Sequence, residues 1–240
     1  MKLSKRLETI ASRAEDCGGA GGAAADIGTD HGFVPIRLVE SGAFSRAIAM
    51  DVRKGPLARA QEHIARRGLS DRVETRLSDG LEGLAAGEAD TVVIAGMGGE
   101  LMLRILRDGA HVRETVSHWI LSPQSELSLF RHGLEELGLA IAGEVMVEED
   151  GKFYTVMTVR PGAMHYEKEY DYRYGRCLIR AGSPELERLL KRELAQYQEI
   201  AEGLSCQTGE KAQERLRRLK EEIIQTEEAL HELQTVDPAV

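Results

Sequence analysis

The chain has 240 residues, 42% of them hydrophobic and 30% charged, which is enough apolar side chain to bury a sizeable core without metal or disulfide staples. Its formal charge of -9, from 31 basic and 40 acidic residues, excludes a non-specific nucleic-acid coat but leaves room for a basic face on an acidic enzyme. Cys17, Cys177 and Cys206 are far apart and odd in number, and no stretch approaches the ~20 apolar residues of a bilayer span, so a disulfide scaffold, a zinc knuckle and a membrane anchor are not expected.

The first segment runs into Glu8, Glu15 and Asp16 without a continuous apolar run, unlike a secretory signal, and the cytoplasm is the expected location. Leu3, Leu7, Ile10 and Ala14 recur at helical spacing, which predicts an amphipathic helix from about Ser4 to Asp16, stopped by Gly18, Gly19, Gly21 and Gly22. Short apolar runs then alternate with amphipathic ones. Strands are expected at Ala23–Ile27, Ala47–Val52, Val73–Leu77, Thr91–Ala95 and Trp119–Leu121. Helices are expected at Pro35–Glu40, from Pro56 in a first turn through Arg67, at Glu100–Asp108 and at Leu127–Leu137. Leu139–Val147 and Phe153–Val159 read as a hairpin turned at Glu149, Asp150 and Gly151. This alternation predicts a mostly parallel sheet covered on both faces, with an antiparallel edge from the hairpin.

After Pro161 the texture changes. Tyr166, Tyr170, Tyr172 and Tyr174 crowd one segment, and two long charged helices follow, Pro184 to about Leu204 and about Glu210 to Leu233. Their apolar stripes are too short for a long independent coiled coil, so an antiparallel helical hairpin joined near Cys206–Gly209 is expected, with Thr226 and Glu227 interrupting the second stripe. The domains expected are 1–160 and 161–240. The hairpin reads as a stabilising tail, an arm that grips substrate or a dimerisation element. A monomer is expected, with a weak dimer as the alternative.

Asp26-Ile27-Gly28-Thr29-Asp30-His31-Gly32 follows the first strand, where glycines let the backbone approach a ligand closely. Two carboxylates there would repel a pyrophosphate but tolerate a sulfonium ion with an amino-acid tail, which favours S-adenosylmethionine over NAD or ATP. Asp51 ends the second strand, where a carboxylate can accept both hydroxyls of a ribose, and Asp79, in Leu77-Ser78-Asp79-Gly80, can accept from an adenine amino group. Val52 and Ser78 belong with these acids. Gly96-Met97-Gly98-Gly99 after the fourth strand gives a close backbone approach, an apolar wall at Met97 and N–H groups at a helix start.

No Asn/Asp-Pro-Pro-aromatic motif follows that strand, which points to a nucleophile needing no deprotonation, such as adenine N1. Its methylation creates a cation, and a carboxylate beside it stabilises the transition state more than the ground state. Asp30 is the candidate for that role. Asp26 is read as an anchor for the backbone or the methionine ammonium, and His31 as orienting Asp30, donating to substrate or capping the next helix. Lys5, Arg6 and Arg13 on the first helix, with Arg53 and Lys54, are candidate phosphate contacts. The remaining histidines show no metal-ligand spacing, so no metal is expected.

Together, Leu3-Ser4-Lys5-Arg6-Leu7, Asp26-Ile27-Gly28-Thr29-Asp30-His31, Gly55-Pro56, Asp79-Gly80-Leu81, Ile94-Ala95-Gly96-Met97-Gly98-Gly99 and Glu148-Glu149-Asp150-Gly151-Lys152 resemble the bacterial tRNA adenine-22 N1-methyltransferase family over roughly residues 1–160. The resemblance implies a Rossmann-like class I methyltransferase sheet with a C-terminal coiled-coil-like helical domain, S-adenosylmethionine as cofactor and tRNA, not DNA or membrane, as partner. It implies catalysis at Asp30, a cofactor turn at Asp26, Gly28 and Thr29, and a loop beside the methyl donor at Gly96, Met97 and Gly98. Leu121-Ser122-Pro123-Gln124 departs from the family's Leu-Gln-Pro-Asn, so Ser122 receives no base-binding role. The alternatives carried forward are a methyltransferase acting on another RNA position or a small heteroaromatic molecule, and a non-catalytic protein that binds S-adenosylmethionine or RNA.

Overall fold

The computed structural model describes residues 3–19 and 21–236; the outermost ends of both expected domains and Ala20 in the glycine stretch lie outside the described residues. The chain divides into two compact units, 1–165 and 166–240.

The first unit opens with α1 (Lys5–Glu15), whose N-cap Ser4 accepts a hydrogen bond from the Leu7 N–H and whose Ile10, Ala11 and Ala14 are buried. Five parallel strands follow: β1 (Ala23–Ile27), β2 (Arg46–Asp51), β3 (Val73–Leu77), β4 (Thr91–Ala95) and β5 (His118–Ser122). They alternate with α2 (Phe33–Glu40), α3 (Lys54–Arg66), α4 (Gly99–Asp108), the short α5 (Ala110–Arg113) and α6 (Leu127–Glu136). No helix separates β3 from β4. The long hairpin of β6 (Leu139–Glu149) and β7 (Lys152–Pro161) turns at Asp150 and Gly151, both with positive φ.

The seven-stranded sheet has the order β3-β2-β1-β4-β5-β7-β6, with β7 antiparallel to β5. This is a Rossmann-like α/β sheet whose strand order reverses between β1 and β4. All five residues of β1 are buried, as a strand covered on both faces requires. α2 begins two residues earlier than its apolar pattern suggested, because Pro35 falls in the first turn, where its missing N–H costs nothing. A fully buried ion pair between Arg131 on α6 and Glu144 on β6, at 2.8 Å, ties the hairpin to its covering helix.

The second unit is helical. A π-helical turn (Asp171–Gly175) leads into α7 (Arg176–Arg180), neither anticipated from the apolar spacing, and then into α8 (Pro184–Ser205) and α9 (Glu210–Thr235). Gln234, at the end of α9, donates to Glu187 at the start of α8 at 3.0 Å, so the two helices run antiparallel. Thr226, an interruption in the apolar stripe of α9, is fully buried and shares a 2.7 Å hydrogen bond with Tyr174. The crowded tyrosines are core residues: Tyr166, Tyr170, Tyr172 and Tyr174 are all buried.

Candidate active site

Parallel register decides which residues share the carboxyl rim of the sheet. Ile27 lies opposite Met50 and Ile94, and Asp51 opposite Leu77, so the turns after β1, β2, β3 and β4 leave from one edge. A cleft of about 360 Å³ opens there, beside the point where strand order reverses.

The first lip is the turn after β1. Gly28 carries the chain outward at φ +82°, and the N–H groups of Gly28 and Thr29 both donate to the Met50 carbonyl, at 2.8 and 2.9 Å. A Cβ at Gly28 would stand 2.1 Å from Met97 Cε, the movable end of a flexible side chain, so it is the left-handed conformation that calls for glycine here. Asp26, inside β1, lines the cleft floor and is only 9% exposed. Burial pushes its carboxyl up to about 6, against the pull of the Thr29 side-chain hydrogen bond, while the nearby Asp51 charge adds to the rise. A buried acid so weakly compensated suits a cationic ligand group and would repel a pyrophosphate.

Asp30 and His31 also line the cleft. Asp30 is gripped by the Arg59 guanidinium from α3, and His31 Nε2 sits 3.1 Å from its other oxygen. The Arg59 hydrogen bond, helped by the charges of His31 and Arg53 and opposed by partial burial, holds the Asp30 carboxyl below its usual range. His63, one turn beyond Arg59 on α3, places Nδ1 2.9 Å from the His31 carbonyl. The His31, Phe33 and His63 rings pack against one another with centroids 5.1 to 5.6 Å apart. His31 does not cap α2: the cap position is Gly32, in the left-handed region with no side-chain cap bond. Nothing in the local sequence marks Arg59 or His63 as site residues. Their four-residue spacing was visible, but the direction that face takes comes only from the β1–β2 pairing.

The second lip is formed after β4 and β5. At Gly96, a Cβ would find Gln124 Nε2 at 3.9 Å and Arg6 Nη2 at 4.0 Å, and all three residues line the cleft. Gly98 is the N-cap of α4, and the N–H groups of Gly99 and Glu100 at the helix start are taken up within the protein. Gly99 donates to Ser125 O at 3.2 Å and Glu100 to the Glu126 carboxylate at 3.4 Å. Met97 reaches across to Gly28 and is not part of the cleft lining.

The other rim residues stand beside this cleft, outside its lining. One oxygen of the buried Asp51 accepts from the Arg53 N–H at 2.7 Å, and Val52 is 58% exposed. Ser78 braces its own loop, accepting from Gly83 N–H at 2.8 Å and donating to Gly80 O at 3.2 Å, with Asp79 exposed between them. Of the basic residues on α1, the structure brings Arg6 to the cleft, its guanidinium 4.9 Å from the centre of the Tyr154 ring. Lys5 instead clamps the hairpin turn, with N–H to the Glu149 carboxylate at 2.6 Å and Nζ to Glu148 O at 3.4 Å. Arg13 pairs with Asp16 at 3.4 Å. Among the described residues there is no cluster of three His, Cys, Asp or Glu able to hold a metal ion, and no helix is long and apolar enough to cross a membrane.

Comparison with known proteins agrees with this geometry. Residues 24–228 match the family model described as TrmK, tRNA (adenine(22)-N(1))-methyltransferase. The Bacillus subtilis tRNA (adenine(22)-N(1))-methyltransferase is 38% identical over 162 residues, covering 68% of this chain and 66% of that protein, just under two thirds of its length. The crystal structure of the B. subtilis m1A22 tRNA methyltransferase TrmK superposes with a TM-score of 0.84 at 31% identity, covering 95% of this chain and 99% of that one. A Streptococcus pneumoniae protein solved in complex with S-adenosyl-L-methionine superposes with a TM-score of 0.81 at 34% identity, covering 96% of this chain and all of that one, 100%.

Proposed function

The chain belongs to the tRNA (adenine(22)-N(1))-methyltransferase family, and from that premise we propose that it transfers a methyl group from S-adenosylmethionine to N1 of adenine 22 in tRNA. The observation that carries the reading is the pairing, in one cleft, of a buried carboxylate at Asp26 with a clamped, ionised one at Asp30.

S-adenosylmethionine supplies an electrophilic methyl group on a sulfonium centre. Asp26, stripped of water, holds the cationic amino-acid end, and the bends at Gly28 and Thr29 let the backbone close on it. Asp51 accepts from the ribose hydroxyls through the oxygen not committed to Arg53, with Val52, Ser78, Asp79 and Gly80 along the adenosine side. Gly96, Met97 and Gly98 border the reacting end. Adenine N1 carries a free lone pair at neutral pH, so no base is needed. As the N1–carbon bond forms and the carbon–sulfur bond breaks, positive charge appears on the base. Asp30, held ionised by Arg59, meets that charge where it develops, so its effect is larger in the transition state than before it. His31 keeps the Asp30 carboxylate oriented. Adenine must leave the tRNA fold to arrive there, at a cost of a few kcal/mol. Arg6, the basic residue of α1 that lines the cleft, supplies a phosphate contact that positions the RNA without reading its sequence. The helical unit, with Arg215, Arg217 and Lys220 on α9, helps to hold the RNA body.

The test is incubation with labelled S-adenosylmethionine and unmodified tRNA, followed by nucleoside analysis and mapping. The expected product is 1-methyladenosine at position 22 alone. Label at another nucleoside or position, or on free adenosine but not on folded tRNA, would replace this reading with one of the other methyltransferase activities. Donor binding without any product would make the protein a binding module.

A further inference from the structure

β5 ends in Ser122-Pro123-Gln124, and these neighbours have opposite fates. Ser122 is 1% exposed and its hydroxyl has no hydrogen-bond partner among the described residues, which removes it from the surface a substrate meets. Pro123 is buried as well, and the chain emerges at Gln124. The Gln124 N–H donates to the Met97 carbonyl at 2.9 Å, which stitches this residue to the glycine loop after β4. Its carboxamide stands over Gly96, 3.9 Å from where a Cβ would be, on the opposite lip from Asp30. No side-chain hydrogen bond occupies it among the described residues, whereas Asp30, His31 and Arg59 across the cleft are all engaged.

A carboxamide presents an acceptor and a donor side by side. Adenine presents the complementary pair, the N6 amino group and N7, along one edge, while guanine offers two acceptors there. Contact through N6 and N7 leaves N1, beyond the amino group on the neighbouring edge, uncovered. A contact at N1 itself would block the reaction. Resting on the adenine-N1 reading above, we propose that Gln124 is the specificity-determining residue of this cleft, its carboxamide taking the N6/N7 edge of the target adenine and leaving N1 free for the methyl group.

The test uses full-length protein and tRNA carrying adenosine or 7-deazaadenosine at position 22, with wild type and Gln124→Ala. In wild type, loss of N7 lowers kcat/KM about ten- to a hundredfold, the range of a good bidentate base contact. In Gln124→Ala, activity on ordinary tRNA falls by a similar factor and the two tRNAs differ less than about twofold, because the partner of N7 is already gone. Donor affinity by calorimetry and the melting temperature stay at wild-type values in the variant. Equal wild-type rates on the two tRNAs, a measurement that needs no variant, would overturn the proposal. So would losses that multiply when variant and deaza substrate are combined. Failure of wild type to methylate ordinary tRNA at adenine 22 would instead remove the activity on which the proposal rests.

Discussion

Asp30, on the lip after β1, is held by Arg59 and His31 while His63 fixes the carbonyl of the same dipeptide. Across the cleft, the ends of Gln124 and Arg6 lie 3.9 and 4.0 Å from where a Cβ on Gly96 would be, with the carboxamide uncommitted among the described residues. One lip is bonded in advance and the other left open. The difference follows from what each must meet. A carboxylate that meets charge developing on the reacting base gains from needing no reorganisation at that moment. An RNA base that arrives by flipping needs room to enter and groups free to pair with it.

If the bonded lip does the chemistry, its removal costs turnover far more than binding. Asp30→Ala is expected to lower kcat about 10²- to 10³-fold, the usual loss for one preorganised electrostatic group, with the donor Kd little changed by calorimetry. An equal loss in both would make Asp30 a structural residue. It would also dissolve the contrast between the lips.

Asp26 sharpens the comparison in the other direction, as a group strained until its ligand arrives. Its folded carboxyl titrates near 6 against an ordinary value of 3.8. A raised carboxyl pKa adds stability fully present below the ordinary value and lost as pH rises through the folded one, so ligand-free protein carries the penalty above about pH 6, on the order of 3 kcal/mol. Asp26→Asn is therefore expected to melt at a higher temperature than wild type at pH 7.5, with the gap closing toward pH 4. It should also weaken donor binding about tenfold or more, because the ammonium loses a desolvated partner. In wild type, donor affinity falls as pH drops through 6. A variant that binds the donor normally would strip Asp26 of its anchoring role.

Much of this architecture was legible in the sequence because it is written in local periods. The apolar run Ala23–Ile27 ending in Gly28, the hairpin turn at Asp150-Gly151 and the apolar stripes of α8 and α9 each carry their own signal. The rim acids could be aligned because parallel strands bring their carboxyl ends together. What escaped depends on partners distant in sequence. Arg59 lies 29 residues from Asp30, and nothing in α3 alone says which way its polar face turns. Thr226 looked like a break in the stripe of α9 until Tyr174, 52 residues away, supplied its hydrogen bond. The π-helical turn, α5 and α7 are too short to hold a full apolar period. Lys5 and Arg13 looked like free cations because neither the Glu148–Glu149 turn nor the Asp16 pairing is visible in a charge count.

The smallest expected effect concerns the clamp itself. Asp30 faces Arg59 from α3, His31 within its own turn and Arg53 from the loop after β2, with Arg6 and Asp26 lining the same cleft. Arg59 contributes most to holding the Asp30 carboxyl low, so Arg59→Gln lets it rise toward the ordinary carboxylate range. At pH 7.5 the group stays ionised in both proteins, and kcat should fall only several-fold, from looser orientation. The acidic limb of kcat, measured with saturating donor so that Asp26 titration is suppressed, should move upward, because the largest contribution holding the Asp30 carboxyl low is gone. Arg59→Lys keeps the charge but not the fork, so it should restore the limb more fully than the turnover. A helix residue that merely braced the turn would lower kcat at every pH by the same factor and leave the limb where it was. That outcome would reduce the bonded lip to packing and leave Asp30 to act without its clamp.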